Sequence, residues 1–356
     1  MFDFADVLLD VLKIKASDLH LTAGSPPMVR EKGRLRALDY PVLTPQQTRE
    51  IIYSILTNDQ RKKLENEWQI DFAYSIPGQG RFRVNAYFQR ASLGAAFRLI
   101  PNEMPMLDDL GLPPVLREFT NKPRGFVLVT GPTGSGKSTT LAAMLDVINK
   151  ERHEHIMTIE DPIEFLHRHQ NCIVNQRELG SDAQSFALGL KAALRQDPDV
   201  ILVGEMRDLE TIATALTAAE TGHLVFATLH TQDTAQTVDR IVDVFPPAQQ
   251  HQVRVQLSVS LQGIVTQQLL PTADGQGRVC STEILVPTPA VRNLIREGKT
   301  HQIYSALQTG GAHGMQTMDA SLADLVRRHK ITRELAEARS SSPEELRRLM
   351  GTVRVA

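Results

Sequence analysis

The stretch Gly131-Pro132-Thr133-Gly134-Ser135-Gly136-Lys137-Ser138 constrains the chain more than any other, because it stands directly between the apolar run GFVLVT and the helical run STTLAAMLDVINK. A strand, a glycine-rich turn and a helix in that order aim several backbone N–H groups and the positive end of a helix at one point, where phosphate oxygens bind. Glycines keep Cβ atoms away from that point. Lys137 is expected to reach the β- and γ-phosphates of ATP, and Ser138 to ligate Mg²⁺. The cradle expected to hold the nucleotide runs from Gly131 to Ser138 and on to Thr139 at the start of the helix.

Three further apolar runs, HIMTIED, DVILVGE and HLVFATLH, lack the period-two alternation of a half-exposed strand. Continuous apolar runs suit strands buried on both faces, as in a parallel sheet covered by helices, so the chain is expected to be α/β. The run Val200 to Glu205 ends in a carboxylate, as the second signature of P-loop enzymes does, with Glu in place of the frequent Asp. The strand at His155–Ile159 leads into Glu160, Asp161 and Glu164, and one of these three carboxylates is a candidate general base at the carboxyl edge of the sheet. His223 and His230 bracket the strand Leu224–Leu229, which holds them too far apart to share a metal ion.

Upstream, FADVLLDVLKIK reads as an amphipathic helix rather than a signal peptide, and Thr44 with Pro45 reads as a helix start. Phe82, Val84 and Ala86 alternate with Arg81, Arg83 and Asn85, which predicts antiparallel strands and hence a small α+β domain over 1–98. The proline-rich segment 99–114 is the expected linker, and 115–356 the expected catalytic domain with a helical C-terminal region. A hairpin turning at ADGQG and a capping box at Ser342, Pro343 and Glu345 are expected, as is a helix from Thr288 to Gly298 with Val291, Leu294 and Ile295 on the stripe that docks on the core and Arg292, Asn293, Arg296 and Glu297 on a solvated charged face. A formal net charge of -2 and 5% aromatic residues argue against nucleic acid as a partner. Cys172 and Cys280 lack disulfide or zinc spacing, and no apolar run approaches a membrane span, so a cytoplasmic chain without membrane insertion is expected.

Taken together, GPTGSGKST, TIEDPIEF, DPDVILVGEMRD and AETGHLVFATLHT resemble the four signature segments of the secretion ATPase superfamily, which drives type II secretion and type IV pili. The resemblance implies a RecA-like P-loop ATPase domain preceded by a PAS-like α+β domain, in a homohexameric ring with nucleotide held between the two domains. ASDLHLTAG, PAVRNLIREGK and GMQTMDASLADLVRR are similar to the pilus-retraction branch. Carried over to this chain, the family pattern assigns the catalytic base to Glu164, Mg²⁺ or water ordering to Glu205, and γ-phosphate sensing to His230. It further implies that Arg83 and Arg98 close over the phosphates and that Arg207 acts across a subunit boundary. The partners it implies are pilus machinery and an inner-membrane platform protein, with the ring peripheral at the inner face of that membrane.

Overall fold

The computed structural model describes residues 3–31, 33–100 and 104–351. Contacts divide the chain into two units, Met1–Glu103 with Glu164–Leu166, and Met104–Ile163 with His167–Ala356.

In the first unit, helix α1 (Phe4–Lys13) precedes strands β1 (Asp18–Leu21), β2 (Met28–Glu31) and β3 (Arg34–Ala37). Helices α2 (Pro45–Ser54) and α3 (Asn58–Glu67) follow, then strands β4 (Gln69–Ile76), β5 (Gly80–Gln89) and β6 (Ser92–Ile100). The strands form one antiparallel sheet in the order β3-β2-β1-β6-β5-β4. Alternation fixes which face is wet, since Phe82, Val84 and Ala86 are buried while Arg83 is exposed. Thr44 and Thr57 each close a capping box with a glutamine three residues on, so both helices start where the sequence places a threonine.

The second unit opens with a 3₁₀ turn at Leu107–Leu110 and helix α4 (Val115–Thr120), followed by strand β7 (Gly125–Thr130) and helix α5 (Lys137–Glu151). Strands β8 (His155–Glu160) and β9 (Ile173–Glu178), helix α6 (Phe186–Ala193), strand β10 (Val200–Val203), helix α7 (Leu209–Thr221) and strand β11 (Leu224–Leu229) come next. Helices α8 (Thr234–Asp243) and α9 (Pro247–Ser260) lead into the hairpin of β12 (Leu261–Pro271) and β13 (Arg278–Leu285). Helices α10 (Pro289–Glu297), α11 (Ile303–Thr309), α12 (Met318–Arg327), α13 (Arg333–Arg339) and α14 (Pro343–Met350) end the described chain. The sheet order is β13-β12-β7-β11-β10-β8-β9, parallel throughout except for the β12–β13 hairpin at one edge. Every residue of β7, β10 and β11 is buried, because separate apolar clusters cover the two faces of the sheet. All the parallel strands therefore deliver their following loops to one edge, which is where an open α/β sheet builds a site.

Three details depart from the sequence reading. Strand β6 continues through Ile100, and Leu107 is already in the second unit's core, so ordered structure occupies both ends of the 99–114 segment. Its part at 101–103 lies outside the described residues. At Ser342 no capping box forms. Glu345 instead accepts from Tyr304 Oη at 2.8 Å and Gln308 Nε2 at 2.7 Å. The fully buried Asp319 carboxylate on α12 gathers Ser340 Oγ at 2.6 Å, Ser341 Oγ at 3.0 Å and the Ser342 N–H at 3.1 Å. A buried anion must collect donors, and it outcompetes a solvent-exposed local cap.

The third departure is Arg292, expected on the solvated face of α10. Thr288 caps this helix, Pro289 starts it, Gly298 stops it at φ 68°, and Val291 and Ile295 are fully buried against the core, all as expected. Arg292 Nη1, however, donates to the carbonyls of Ser258 and, at 2.9 Å, Val259. These are end carbonyls of α9, which lack intrahelical partners and attract a cation.

Candidate functional site

The turn after β7 takes its shape from glycine. Gly131, Gly134 and Gly136 have φ of 135°, 80° and 91°, in the region that side chains with a Cβ avoid. At Gly131 a Cβ would also lie 2.3 Å from the Gln267 carbonyl oxygen and 2.7 Å from Ser135 Oγ. The loop is thus pressed onto β12 at Gly131, and the Ser135 N–H closes back on the Pro132 carbonyl at 3.2 Å. Lys137, only 9% exposed, donates from Nζ to the carbonyls of Gly131 at 2.8 Å and Pro132 at 3.1 Å, so its ammonium lies across the loop. Pro132, Thr133 and Gly134 form the exposed crest, Ser135 is buried, and Ser138 and Thr139 are half-buried on the first turn of α5.

These residues fit a nucleotide. The cradle closes to any side chain at Gly131, and the buried Ser135 Oγ has no hydrogen-bond partner among the described residues. Beside it lies an open cavity of about 510 Å³ with Ser135 and Thr139 on one side and Leu110, Leu112, Leu269 and Arg278 around it. That volume is in the range of roughly 300–1,000 Å³ common for small-molecule sites. A magnesium ion fits more conditionally. Among the described residues no three acidic, histidine or cysteine side chains converge as a metal cage. Mg²⁺ is usually held by one or two protein oxygens together with substrate phosphates, a demand that Ser138 and Glu205 could meet.

Glu205, just past β10, is the centre of the charged cluster. Arg207 approaches it with Nε and Nη2, each at 2.6 Å, and His230 Nε2 lies 2.9 Å from Oε1. Burial opposes the Glu205 charge, but the hydrogen bond from Arg207 and the charges of His230 and Arg207 outweigh it and hold the carboxyl below its ordinary value. The strand ends that carry these groups are tied together by Gly204 N–H donating to Ile159 O at 2.8 Å and Met206 N–H donating to Thr228 O at 3.1 Å. A Cβ on Gly204 would sit 3.1 Å from the Ile159 carbonyl, so a small residue is needed there.

Among the three carboxylates after β8, the surroundings differ. Glu160 accepts from Thr158 Oγ1 at 2.6 Å and Gln176 Nε2 at 3.2 Å, whereas Asp161 and Glu164 are exposed in the loop. The buried Glu178 steadies that loop by accepting the Ile163 N–H at 3.0 Å. In the first unit, Arg83 and Arg98 are exposed and directly opposite each other on β5 and β6, and Asp18 is opposite Arg98 on β1. Arg98 Nε donates to Asp18 at 3.0 Å, with Arg30 Nε 3.9 Å from the same carboxylate. Burial again opposes the charge on Asp18, while Ser17 and Arg98 lower its pKa by more. Two cross-strand arginines repel, and the acid beside them offsets the repulsion.

Gln267, Glu178, Asp18 and Glu283 escaped the sequence reading. Gln267 is fully buried on β12 and donates to Thr140 Oγ1 at 2.8 Å beneath the loop. Its signal was the polar run Thr266-Gln267-Gln268 set between the apolar pairs Ile264-Val265 and Leu269-Leu270 of one strand. Cys280 also lines the cavity, but burial pushes its thiol up to about 12, which leaves it unreactive.

A profile of the type II/IV secretion system protein family matches residues 5–337. The type IV pilus retraction ATPase PilT of Pseudomonas aeruginosa is 53% identical over 342 residues, covering 96% of this chain and 99% of that one. A twitching motility protein of Neisseria gonorrhoeae is 50% identical, covering 94% of this chain and 91% of its own. A crystal structure of the pilus retraction motor PilT with bound ADP superposes with a TM-score of 0.92 at 51% identity, covering 98% of this chain and all of that one. The chain belongs to the type II/IV secretion system protein family, as a homologue of PilT with a small N-terminal domain and a RecA-like ATPase domain.

Proposed function

We propose that the chain is an ATP-hydrolysing motor subunit that powers retraction of a type IV pilus. The observation that carries this is a complete phosphate cradle, Gly131–Thr139, in a chain half identical to a retraction ATPase along nearly all its length. Backbone N–H groups of the loop and the α5 N-terminus hold the β- and γ-phosphates, and Lys137 leaves its two carbonyl partners to neutralise them. The neighbouring cavity takes the nucleoside. Mg²⁺, when bound through Ser138 and under the influence of Glu205, supplies charge neutralisation at the phosphates.

Glu164 is the general base in this reading. It is exposed in the loop and unencumbered by the neighbours that engage Glu160, so it is free to accept a proton from an attacking water. His230 reports on the γ-phosphate by exchanging its contact with Glu205, and Arg207 does the same towards a neighbouring subunit. Arg83 and Arg98 supply cationic charge to the phosphates, for which Arg98 must exchange Asp18 for phosphate oxygens.

The working form is a homohexamer, peripheral at the cytoplasmic face of the inner membrane through a platform protein of the pilus machinery. No described helix is long and apolar enough to cross a membrane, which agrees with attachment through a partner. The rival reading within the family is pilus assembly. Deleting the gene and counting surface pili separates them: pili retained but unable to retract support the retraction motor, and a bald cell overturns it in favour of assembly. Failure of the purified protein to release phosphate from ATP would overturn both.

A further inference from the structure

A row of residues crosses the carboxyl edge of the parallel sheet. Leu229, the last residue of β11, is paired with Thr130, the last of β7; Thr130 is paired with Thr266 on β12, and Thr266 with Glu283 on β13. The hydroxyls of Thr130 and Thr266 meet at 2.8 Å in the buried middle of the row. The row therefore runs from the residue before His230, past the residue before the phosphate loop, to Glu283.

Glu283 is only 4% exposed. Its Oε1 accepts both the Thr234 N–H at 2.8 Å and the Thr234 hydroxyl at 2.9 Å. Thr234 is the first residue of α8, fully buried, and the four residues His230–Asp233 are all that separate it from β11. Burial raises the Glu283 pKa, while the two Thr234 bonds and the Met318 backbone at the start of α12 favour its charged form. Two helix N-termini, of α8 and α12, thus converge on one buried carboxylate. The same strand is stitched to the α12 start by the Thr282 N–H donating to Ser321 Oγ at 3.1 Å and Gln316 Nε2 donating to Thr282 O at 3.0 Å.

A buried carboxylate is costly to keep unless it does something a neutral side chain cannot. Here it anchors the far end of a four-residue loop whose near end is fixed by β11, and that loop carries His230 to within 2.9 Å of Glu205. A second clamp inside the loop, Thr231 Oγ1 to Thr237 Oγ1 at 2.6 Å, depends on the same placement of α8. We infer that Glu283 is a positioning residue for ATP hydrolysis: by holding the N-terminus of α8 it sets where His230 stands relative to Glu205.

The inference rests on the proposed ATPase reading and on His230 taking part, so its test is a double-mutant cycle between Glu283→Gln and His230→Ala, read as kcat, ATP Kd and melting temperature. Glutamine keeps the size and an acceptor for Thr234, but it loses the charge and turns an N–H towards the Met318 backbone. Displacing a reacting group by an ångström costs up to about 10²-fold, and a partial displacement in Glu283→Gln is expected to lower kcat on the order of tenfold. ATP Kd should stay within about twofold, because the phosphate loop is untouched. In the His230→Ala background the same change should cost nothing further. Equal losses in both backgrounds, or no loss of kcat, overturn the inference.

If Glu283→Gln does not fold, Thr234→Val, which removes only the donated hydroxyl bond, is put through the same cycle with the same expected and overturning results. A His230→Ala enzyme with full turnover overturns both the role of His230 and the inference, while leaving the ATPase reading standing. That reading falls if the purified wild-type protein releases no phosphate from ATP, or if hydrolysis survives Lys137→Ala.

Discussion

At the scale of single residues, function depends on which charges are already spoken for. Lys137 donates to the Gly131 and Pro132 carbonyls of its own loop, and it must turn from them to reach a phosphate. Lys137→Ala should abolish phosphate release while leaving the melting temperature close to wild type, and near-normal turnover would remove the phosphate loop from the mechanism. Glu164→Gln should retain ATP binding but slow hydrolysis by about 10²- to 10⁴-fold, the usual cost of losing a general base. If Glu160→Gln has that effect instead, the base is the carboxylate bound by Thr158 and Gln176.

Glu205 gives a pH-dependent expectation. Its folded pKa is depressed, so its ionised form contributes stability above the unfolded glutamate value of about 4.3, and that contribution is lost as pH falls through the lower folded value. Arg207→Ala removes a principal cause of the depression. The melting temperatures of wild type and variant should differ slightly at neutral pH, since Arg207 is largely exposed, and converge once the pH has fallen through the depressed Glu205 value. A gap that widens in acid would mean Arg207 acts through something other than the Glu205 charge.

At the scale of elements, the sequence was most readable where one local pattern decides the outcome. The strands β7, β10 and β11 announce themselves because both faces are buried, and α10 because its cap, proline and stop glycine agree with its apolar stripe. Misreadings came where a distant partner competes with a local one. Ser342 and Glu345 have capping-box spacing, but Asp319 and Tyr304, far back in the chain, claim them. Glu283 carries no signal at all, because its partner Thr234 is 49 positions away and appears beside it only once the sheet is built. Arg292 is the instructive case for α10, because its spacing places it on the polar face and only the end of α9 explains why it turns inward. The two halves of that face therefore separate. Arg292→Ala should lower the melting temperature by unpairing the α9 carbonyls, whereas Asn293→Ala with Arg296→Ala alters exposed residues only. The double variant should keep ATPase activity and assembly but lose pilus retraction in cells, and normal motility at normal protein levels would remove this face from partner contact.

At the scale of the whole molecule, mechanical work requires that a nucleotide event in one subunit be felt in others, and the charged cluster is suited to that. Arg207 is largely exposed and bound only to Glu205 among its described ion pairs, so it can be released outward when Glu205 turns to the nucleotide. If the working form is a closed ring of six whose subunits act in concert, an inactive subunit should poison its neighbours. Mixing wild-type chains with Lys137→Ala chains before assembly tests this directly. With equal amounts and random assembly, only about 2% of six-membered rings contain wild-type subunits alone, whereas independent subunits would leave about half the activity. Activity in the mixture should therefore fall far below half and bend steeply with the variant fraction. A straight-line fall would show that each chain hydrolyses ATP without reference to its neighbours, and would confine Arg207 to the site of its own subunit.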